Sequence, residues 1–171
     1  MGCNSGMNAS DAQDVPVSTL QLPRAAYLAL RSHGEATYPH ECCGVLLGHP
    51  TRAGWRVVEA VQASNARTDS AHNRYSIAPR ELVKIEVGAR NRGLQIAGFY
   101  HSHPDHAPQW SATDLAEAHW LGCSYVITEV AKGKSVETKS FLLAGTGEKD
   151  KRFVQEVIRF VGEETGAPPR K

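Results

Sequence analysis

Short apolar runs separated by polar or glycine-containing segments recur along most of the chain. Each run is three to nine residues long and is rich in Val, Ile, Leu or aromatic side chains, a pattern that predicts buried β-strands rather than helices. Strands are therefore predicted at Cys43–Gly48, Trp55–Ala63, Tyr75–Ile77, Leu94–His101, Cys123–Val130 and Val136–Leu143.

A second pattern, with apolar residues three or four positions apart, predicts helices between these strands. Pro23 and Pro79 each occupy a favoured first position of such a helix. Helices are predicted at Arg24–Ala36, from Pro79 to about Gly93, at Ser111–Leu121, and at the C-terminus, where Phe153, Val157, Phe160 and Val161 form one apolar face. The fold class is accordingly mixed α/β (α+β), with a mixed sheet flanked by helices.

The boundaries of the domain follow from composition. Residues 1–19 are polar and are expected to form a disordered tail, with Met7 as an alternative start of translation. Residues 20–165 are predicted to form one domain, and the Gly- and Pro-containing residues 166–171 a flexible tail. A chain of 171 residues is long enough for one sizeable core.

Composition and charge exclude several functions. The formal net charge is +1 and no basic run stands out, so we expect no nucleic-acid binding. No apolar stretch approaches the ~20 residues of a membrane span. The four cysteines form no C-x-x-C pair, and without a recognisable secretion signal they are expected to be reduced thiols of a cytoplasmic protein.

The most informative segment is an apolar strand that ends in His101-Ser102-His103. Side chains two residues apart on a strand face the same way, roughly 7 Å apart at the backbone, and two imidazoles so placed can bind one metal ion. Asp114, at the start of the next predicted helix, is a candidate third ligand. Two His and one carboxylate leave a tetrahedral position open, as in catalytic rather than structural zinc sites.

Two further side chains complete a candidate hydrolytic site. Glu41, directly before a buried strand, is the candidate for proton transfer, and Ser111 is the candidate for stabilising a developing oxyanion. Each has a simpler interpretation: His101 and His103 as two partly buried histidines, Ser111-x-x-Asp114 as a helix capping box, and Glu41 as a surface carboxylate. Capping and catalysis are compatible, and the combination favours the site.

The same combination resembles a known motif. Glu41, then His101-Ser102-His103-Pro104, six residues, Ser111, two residues and Asp114 resemble the JAMM motif of the MPN/Mov34 metallopeptidase family. The resemblance implies a cytidine-deaminase-like arrangement of a single MPN-type domain and a Zn2+ ion held by His101, His103 and Asp114. It also implies Glu41 as acid and base and Ser111 as the oxyanion residue. Trp110 departs from the pattern, since many relatives have Pro there.

The resemblance also implies a substrate class. Members of this family cleave peptide and isopeptide bonds at the C-terminal tails of ubiquitin-like proteins. The short connection after Asp114 resembles the compact prokaryotic branch, which implies a ubiquitin-like or ThiS-like sulfur-carrier protein cleaved after Gly-Gly. The alternatives are a hydrolase of small amides or peptides and a non-catalytic interaction module, and iron or cobalt could replace zinc. The oligomeric state does not follow from the sequence.

Three other features remain open at this stage. His106 follows the histidine pair and could contact substrate or be an exposed loop histidine. The polar segment Ser64–Asn73 could flank the substrate groove or be a surface loop. Cys42 and Cys43 could compete for metal, although burial as small apolar side chains is the simpler interpretation.

Overall fold

The computed structural model describes residues 17–67 and 74–162, which form seven strands and three helices. Most of the predicted N-terminal tail and all of the predicted C-terminal tail lie outside these ranges, and so do residues 68–73. In chain order the elements are β1 (Thr19–Pro23), α1 (Arg24–Thr37), β2 (Cys43–Thr51), β3 (Gly54–Ala63), α2 (Pro79–Arg90), β4 (Gln95–Pro104), α3 (Ala112–Glu117), β5 (Ser124–Ala131), β6 (Lys134–Ala144) and β7 (Arg152–Val161).

The strands form one mixed sheet in the order β1-β3-β2-β4-β5-β6-β7, and the sheet closes on itself. Closure is possible because β1 pairs in parallel with both β3 and β7. The pair β4–β5 is also parallel, whereas the remaining neighbours are antiparallel. The predicted mixed α/β fold in a single domain is thus confirmed, and closing the sheet removes its unpaired edges.

The prediction of a C-terminal helix is wrong. The segment that carries Phe153, Val157 and Phe160 is strand β7, which pairs with β6 on one side and β1 on the other. Apolar residues three or four positions apart imitated a helical face. The β-branched Val and Ile residues of this segment favour a strand, and its backbone pairing on both sides closes the barrel.

Smaller differences concern the ends of elements. Strand β1 was not predicted, and β4 extends to Pro104, beyond its predicted end at His101, so that His103 also lies on the strand. Helix α3 ends at Glu117 instead of Leu121. The segment predicted as a short strand at 75–77 makes a single isolated bridge, between Asn65 and Ile77.

Two apolar clusters cover the two faces of the central strands, so that neighbouring residues of one strand contribute to different clusters. Leu46 packs with α1 residues such as Ala26 and Leu30, whereas Val45 and Leu47 pack on the face that carries α2 and α3. Phe99 of β4 belongs to this second face. Because side chains two apart share a face, the histidines that follow Phe99 on β4 point toward α3.

One close approach fixes the position of β4. A Cβ atom at Gly98 would collide with the backbone of Ser124, so only glycine allows the β4–β5 pairing at this point. The parallel pairing then continues through His101 and His103 to the end of the strand. Strand β2 also pairs with β4 as far as His101, so β5 alone pairs with the strand at His103.

Candidate metal centre

The two histidines at the end of β4 converge as the sequence predicted. His101 pairs with Cys43 of β2 and is buried, whereas His103, two residues further along β4, is partly exposed. Their Nε2 atoms lie 3.1 Å apart. The Nδ1 atom of His103 is 2.9 Å from the carbonyl oxygen of Ala107, which can only accept, so Nδ1 carries the proton and Nε2 presents its lone pair to the site.

Helix α3 brings the third group into place. Asp114 Oδ1 lies 3.3 Å from His101 Nε2, and Asp114 Oδ2 lies 3.7 Å from His103 Nε2. Ser111 caps the helix: its hydroxyl accepts from the Asp114 backbone N–H at 3.1 Å and donates to Asp114 Oδ2 at 2.7 Å. The Ser111 backbone N–H donates to the same oxygen at 2.6 Å, which completes a capping box and fixes the carboxylate.

The geometry of these three side chains fits a metal ion. One ligand atom from each of them lies within 4.8 Å of the others. Tetrahedral ligands with bonds of 2.0–2.1 Å stand about 3.3 Å apart, close to the separations of 3.1, 3.3 and 3.7 Å between the Nε2 and carboxylate atoms. Two imidazoles and one carboxylate are also a donor set that leaves a coordination position open. His101, His103 and Asp114 can therefore hold a metal ion together.

The electrostatics of His101 and Asp114 agree with this role. Burial lowers the pKa of His101, which keeps its imidazole neutral as a ligand must be. Burial acts against the ionised form of Asp114, but hydrogen bonds with His101, His103 and the Ser111 backbone hold the pKa of its carboxyl well below its usual range. For His103, burial acts to lower the pKa, yet contacts with Asp114 and Ala107 raise it overall.

Glu41 is held beside the ligand strand through its neighbour. The backbone N–H of Cys42 donates to the Ser102 hydroxyl at 2.9 Å, and the Ser102 N–H donates to the Cys42 carbonyl at 3.3 Å. Ser102 lies between the two histidines, so these bonds set the distance between Glu41 and the ligands. Glu41 lines a cleft of about 360 Å³ together with His103, Ser111 and Asp114.

Glu41 is 6% exposed, and burial raises the pKa of its carboxyl to about 8. The charge of His103 acts to lower this pKa, and the charge of Asp114 acts to raise it. A cation at the three ligands favours the ionised form and opposes the effect of burial. No side chain in residues 17–67 and 74–162 donates a hydrogen bond to this carboxyl. A carboxyl balanced in this way can take up and return a proton near neutral pH.

The rim of the cleft contains two residues that the sequence analysis left open. His106 is exposed, and its Nδ1 donates to the Pro104 carbonyl at 2.7 Å, so its ring is held at the edge of the cleft. Trp110 lines the same edge and packs against Phe153 with ring centroids 5.7 Å apart. Cys42 and Cys43 are buried, and burial raises the pKa of their thiols to about 11 and about 12, so they remain protonated.

The sequence analysis missed an aromatic wall beside the ligands. The ring of Tyr75 stacks on that of His101, with centroids 4.6 Å apart and an angle of 25° between planes. The Nδ1 atom of His101 has no hydrogen-bond partner among the described residues, so the stacking adds to the Nε2 contacts with His103 and Asp114 in orienting the ring. The only signal for it was an aromatic residue before the second predicted helix, which is too common to indicate a site.

Comparisons with known proteins agree with the fold. A family profile described as "Prokaryotic homologs of the JAB domain" matches residues 23–143, a range that includes Glu41, Ser111 and all three candidate ligands. A protein of Haloferax volcanii named Desampylase is 37% identical over 89 residues, or 52% of this chain. The match spans 62% of that relative's own length.

Solved structures resemble the whole fold. A solution structure of a protein from Desulfitobacterium hafniense has 27% sequence identity and a TM-score of 0.70, covering 85% of this chain and 93% of the other. A solution structure of a protein from Salinibacter ruber has 33% identity and a TM-score of 0.60, covering 88% of this chain and 94% of the other.

Within the described residues, no helix is both long and apolar enough to span a membrane.

Proposed function

The chain belongs to the family of prokaryotic homologs of the JAB domain, and from this premise we propose that it is a zinc-dependent hydrolase of amide or isopeptide bonds. Its substrate is the C-terminal tail of a ubiquitin-like or sulfur-carrier protein, which it cleaves after Gly-Gly in the cytoplasm. One observation carries the proposal: Glu41 and Ser111 line the same cleft as His103 and Asp114, which converge with the buried His101.

Each side chain has a separate task in this reaction. His101, His103 and Asp114 hold the ion, and Ala107 and Ser111 orient two of them through hydrogen bonds. When bound there, zinc supplies a Lewis acid for the scissile carbonyl and lowers the pKa of a water molecule. Zinc is favoured over other divalent metals because two imidazoles and one carboxylate with an open position are typical of its catalytic sites.

Glu41 handles the protons. Glu41 lines the cleft; its carboxyl takes a proton from the attacking water and returns it to the leaving amine. Ser111 donates its hydroxyl to the oxygen that becomes negative in the transition state, which requires this hydroxyl to turn away from Asp114. The Ser111 backbone N–H continues to hold Asp114 while the hydroxyl turns.

Two observations support a narrow protein tail as substrate. The cleft of about 360 Å³ is bordered by Trp110 and His106, and this size suits a short segment without side chains, such as Gly-Gly. The relative named Desampylase supports a substrate of the ubiquitin-like class, because the name describes an enzyme that removes an attached modifier.

The test is intact-mass spectrometry of a sulfur-carrier protein that ends in Gly-Gly plus a short C-terminal extension. The carrier is incubated with the zinc-loaded wild type and, separately, with the zinc-loaded Glu41→Gln variant. We expect loss of the extension directly after the second glycine with the wild type only. No cleavage of any Gly-Gly extension by the zinc-loaded wild type, with cleavage of a small peptide amide instead, would replace the protein-tail substrate by a small amide.

A further inference from the structure

Asn65 uses its whole side-chain amide to bind backbone groups. Its Nδ2 donates to the carbonyl of Glu41 at 3.2 Å and to that of Arg74 at 3.0 Å. Its Oδ1 accepts from the N–H of Arg67 at 3.0 Å and of Ser76 at 3.2 Å. Two carbonyls and two N–H groups match the two donors and two acceptor positions of the amide, so its orientation is fixed.

These four bonds join three pieces of chain that are separate in sequence. The first piece is Glu41 itself, which lies two residues before the start of β2. The second is the segment 65–67, and the third is the segment 74–77, which the Asn65–Ile77 bridge and the bond from Ala66 N–H to the Ser76 carbonyl at 2.8 Å hold beside it. The third piece includes Tyr75, whose ring stacks on the metal ligand His101.

We propose that Asn65 is a positioning residue that fixes the Glu41 carboxyl relative to the metal-bearing histidines. The inference rests on the proposed function, because it takes Glu41 as the acid and base. Asn65 reaches the main chain of Glu41 on one side and the backbone around Tyr75 on the other. The bonds of Cys42 with Ser102 fix the next residue, so Asn65 supplies the contact that holds Glu41 itself.

Only the donor half of the amide reaches Glu41, which suggests a selective variant. Asn65→Asp keeps an oxygen that can accept from Arg67 and Ser76 but places a second oxygen against the Glu41 and Arg74 carbonyls. Glu81→Ala is the matched control: it removes the carboxylate that accepts from the Ser64 N–H at 3.1 Å. This control loosens the residue next to Asn65 without touching the bond to Glu41.

The first readout is independent of activity. Hydrogen exchange of the peptide that covers residues 38–46 is followed by mass spectrometry in metal-free wild type, Asn65→Asp and Glu81→Ala. We expect exchange about 2- to 10-fold faster in Asn65→Asp, the effect of losing hydrogen bonds of ordinary strength. The peptide that covers residues 111–117 keeps its rate in all three proteins, and Glu81→Ala leaves residues 38–46 unchanged.

The second readout separates positioning from general structure. With the zinc-loaded enzyme and the extended carrier, we expect kcat of Asn65→Asp to fall about 10- to 100-fold, because small displacements of a catalytic group are costly. KM, zinc content and melting temperature stay near those of the wild type. If Asn65→Asp does not fold, Asn65→Ser is measured in the same way, since its shorter hydroxyl also loses the bond to Glu41.

Unchanged exchange in residues 38–46 of Asn65→Asp overturns the inference, and so does a kcat equal to that of the wild type. An equal loss of kcat in Glu81→Ala also overturns it, because the effect would then come from loosening the loop. If the wild type cleaves no tail, the proposed function fails by itself, and the exchange data alone decide whether Asn65 holds Glu41.

Discussion

On the α3 side of the cleft, the candidate metal ligands hold one another through their side chains, whereas on the other side Glu41 is held through its main chain. Asp114 contacts both histidines, and the hydroxyl and backbone N–H of Ser111 hold its carboxylate. Glu41 instead depends on the Cys42–Ser102 bonds and on Asn65. In the proposed reaction this difference separates metal binding from proton transfer, and we expect each side to keep its geometry when the other is altered.

The largest effect is expected where the ligand side is broken. His103→Ala leaves His101 and Asp114, which bind zinc poorly, so metal content and activity should both fall to background. The loss of zinc affinity should exceed the about 10- to 100-fold that follows removal of an outer-shell partner. Metal analysis after gel filtration and the carrier cleavage assay check both.

The matched control for this variant is His49→Ala, which removes an exposed histidine at the end of β2. It should keep one equivalent of zinc and full activity. Stoichiometric zinc in His103→Ala would show that the ligand assignment is wrong.

The next largest effect isolates the proton-transfer side. Glu41→Gln keeps the shape of the side chain but cannot take up a proton, so kcat should fall about 10²- to 10⁴-fold while zinc content stays the same. Metal analysis and turnover are measured on one preparation. Near-normal turnover would remove Glu41 from the mechanism, and loss of zinc would contradict the separation of the two sides.

Ser111 holds the candidate ligand Asp114 and is also the proposed oxyanion residue, so Ser111→Ala should have an intermediate effect. Loss of the oxyanion donor should lower kcat about 10²- to 10³-fold. Loss of the helix cap should lower the free energy of unfolding by about 1 kcal/mol. Chemical denaturation and kinetics measure the two effects separately.

Ser111→Thr serves as control for this pair of measurements, because it keeps a hydroxyl that can cap and donate. It should retain most of the stability and activity. If Ser111→Ala loses the cap but keeps kcat, Ser111 serves only to hold the helix and Asp114.

The smallest effect concerns the ring that covers His101. Tyr75→Leu removes the stacking contact, and zinc affinity should weaken about 2- to 10-fold, the equivalent of about 0.5–1.5 kcal/mol for an aromatic pair. Competition with a chromophoric chelator measures this. Tyr27→Leu removes a similar contact with Phe160, at 4.9 Å and away from the cleft, and should leave zinc affinity unchanged.

Equal zinc affinity in Tyr75→Leu and the wild type would mean that the β4 backbone alone orients His101. A comparable loss in Tyr27→Leu would mean that the effect is a general loosening of the barrel. Either result would mean that the contacts around Asp114 and His103, and not the Tyr75 ring, hold the candidate ligands in place.

The ligand side was predictable from sequence because its geometry is local. His101 and His103 share one face of a single strand, and Asp114 lies at a capping position that Ser111 defines three residues earlier. The strand period and the capping pattern therefore bring these groups together with little information from the rest of the fold. Glu41 was predicted only in combination with them.

The contacts of Asn65 and Tyr75 were not predictable in the same way. Asn65 and Glu41 are 24 residues apart in sequence, and Tyr75 and His101 also come from different segments of the chain. Both contacts therefore depend on how the barrel closes. The same reason explains β7: its spacing of apolar residues fits a helix locally, and only pairing with β1 and β6 decides for a strand.

The most direct test of the separation between metal binding and proton transfer is zinc X-ray absorption spectroscopy of the wild type and Glu41→Gln, both loaded with one equivalent of zinc. We predict the same first shell in both proteins, with two imidazole nitrogens and oxygen ligands at about 2.0–2.2 Å. A sulfur ligand at about 2.3 Å would move the metal to a cysteine. A first shell that changes in Glu41→Gln would make Glu41 a ligand, and either result would contradict the account.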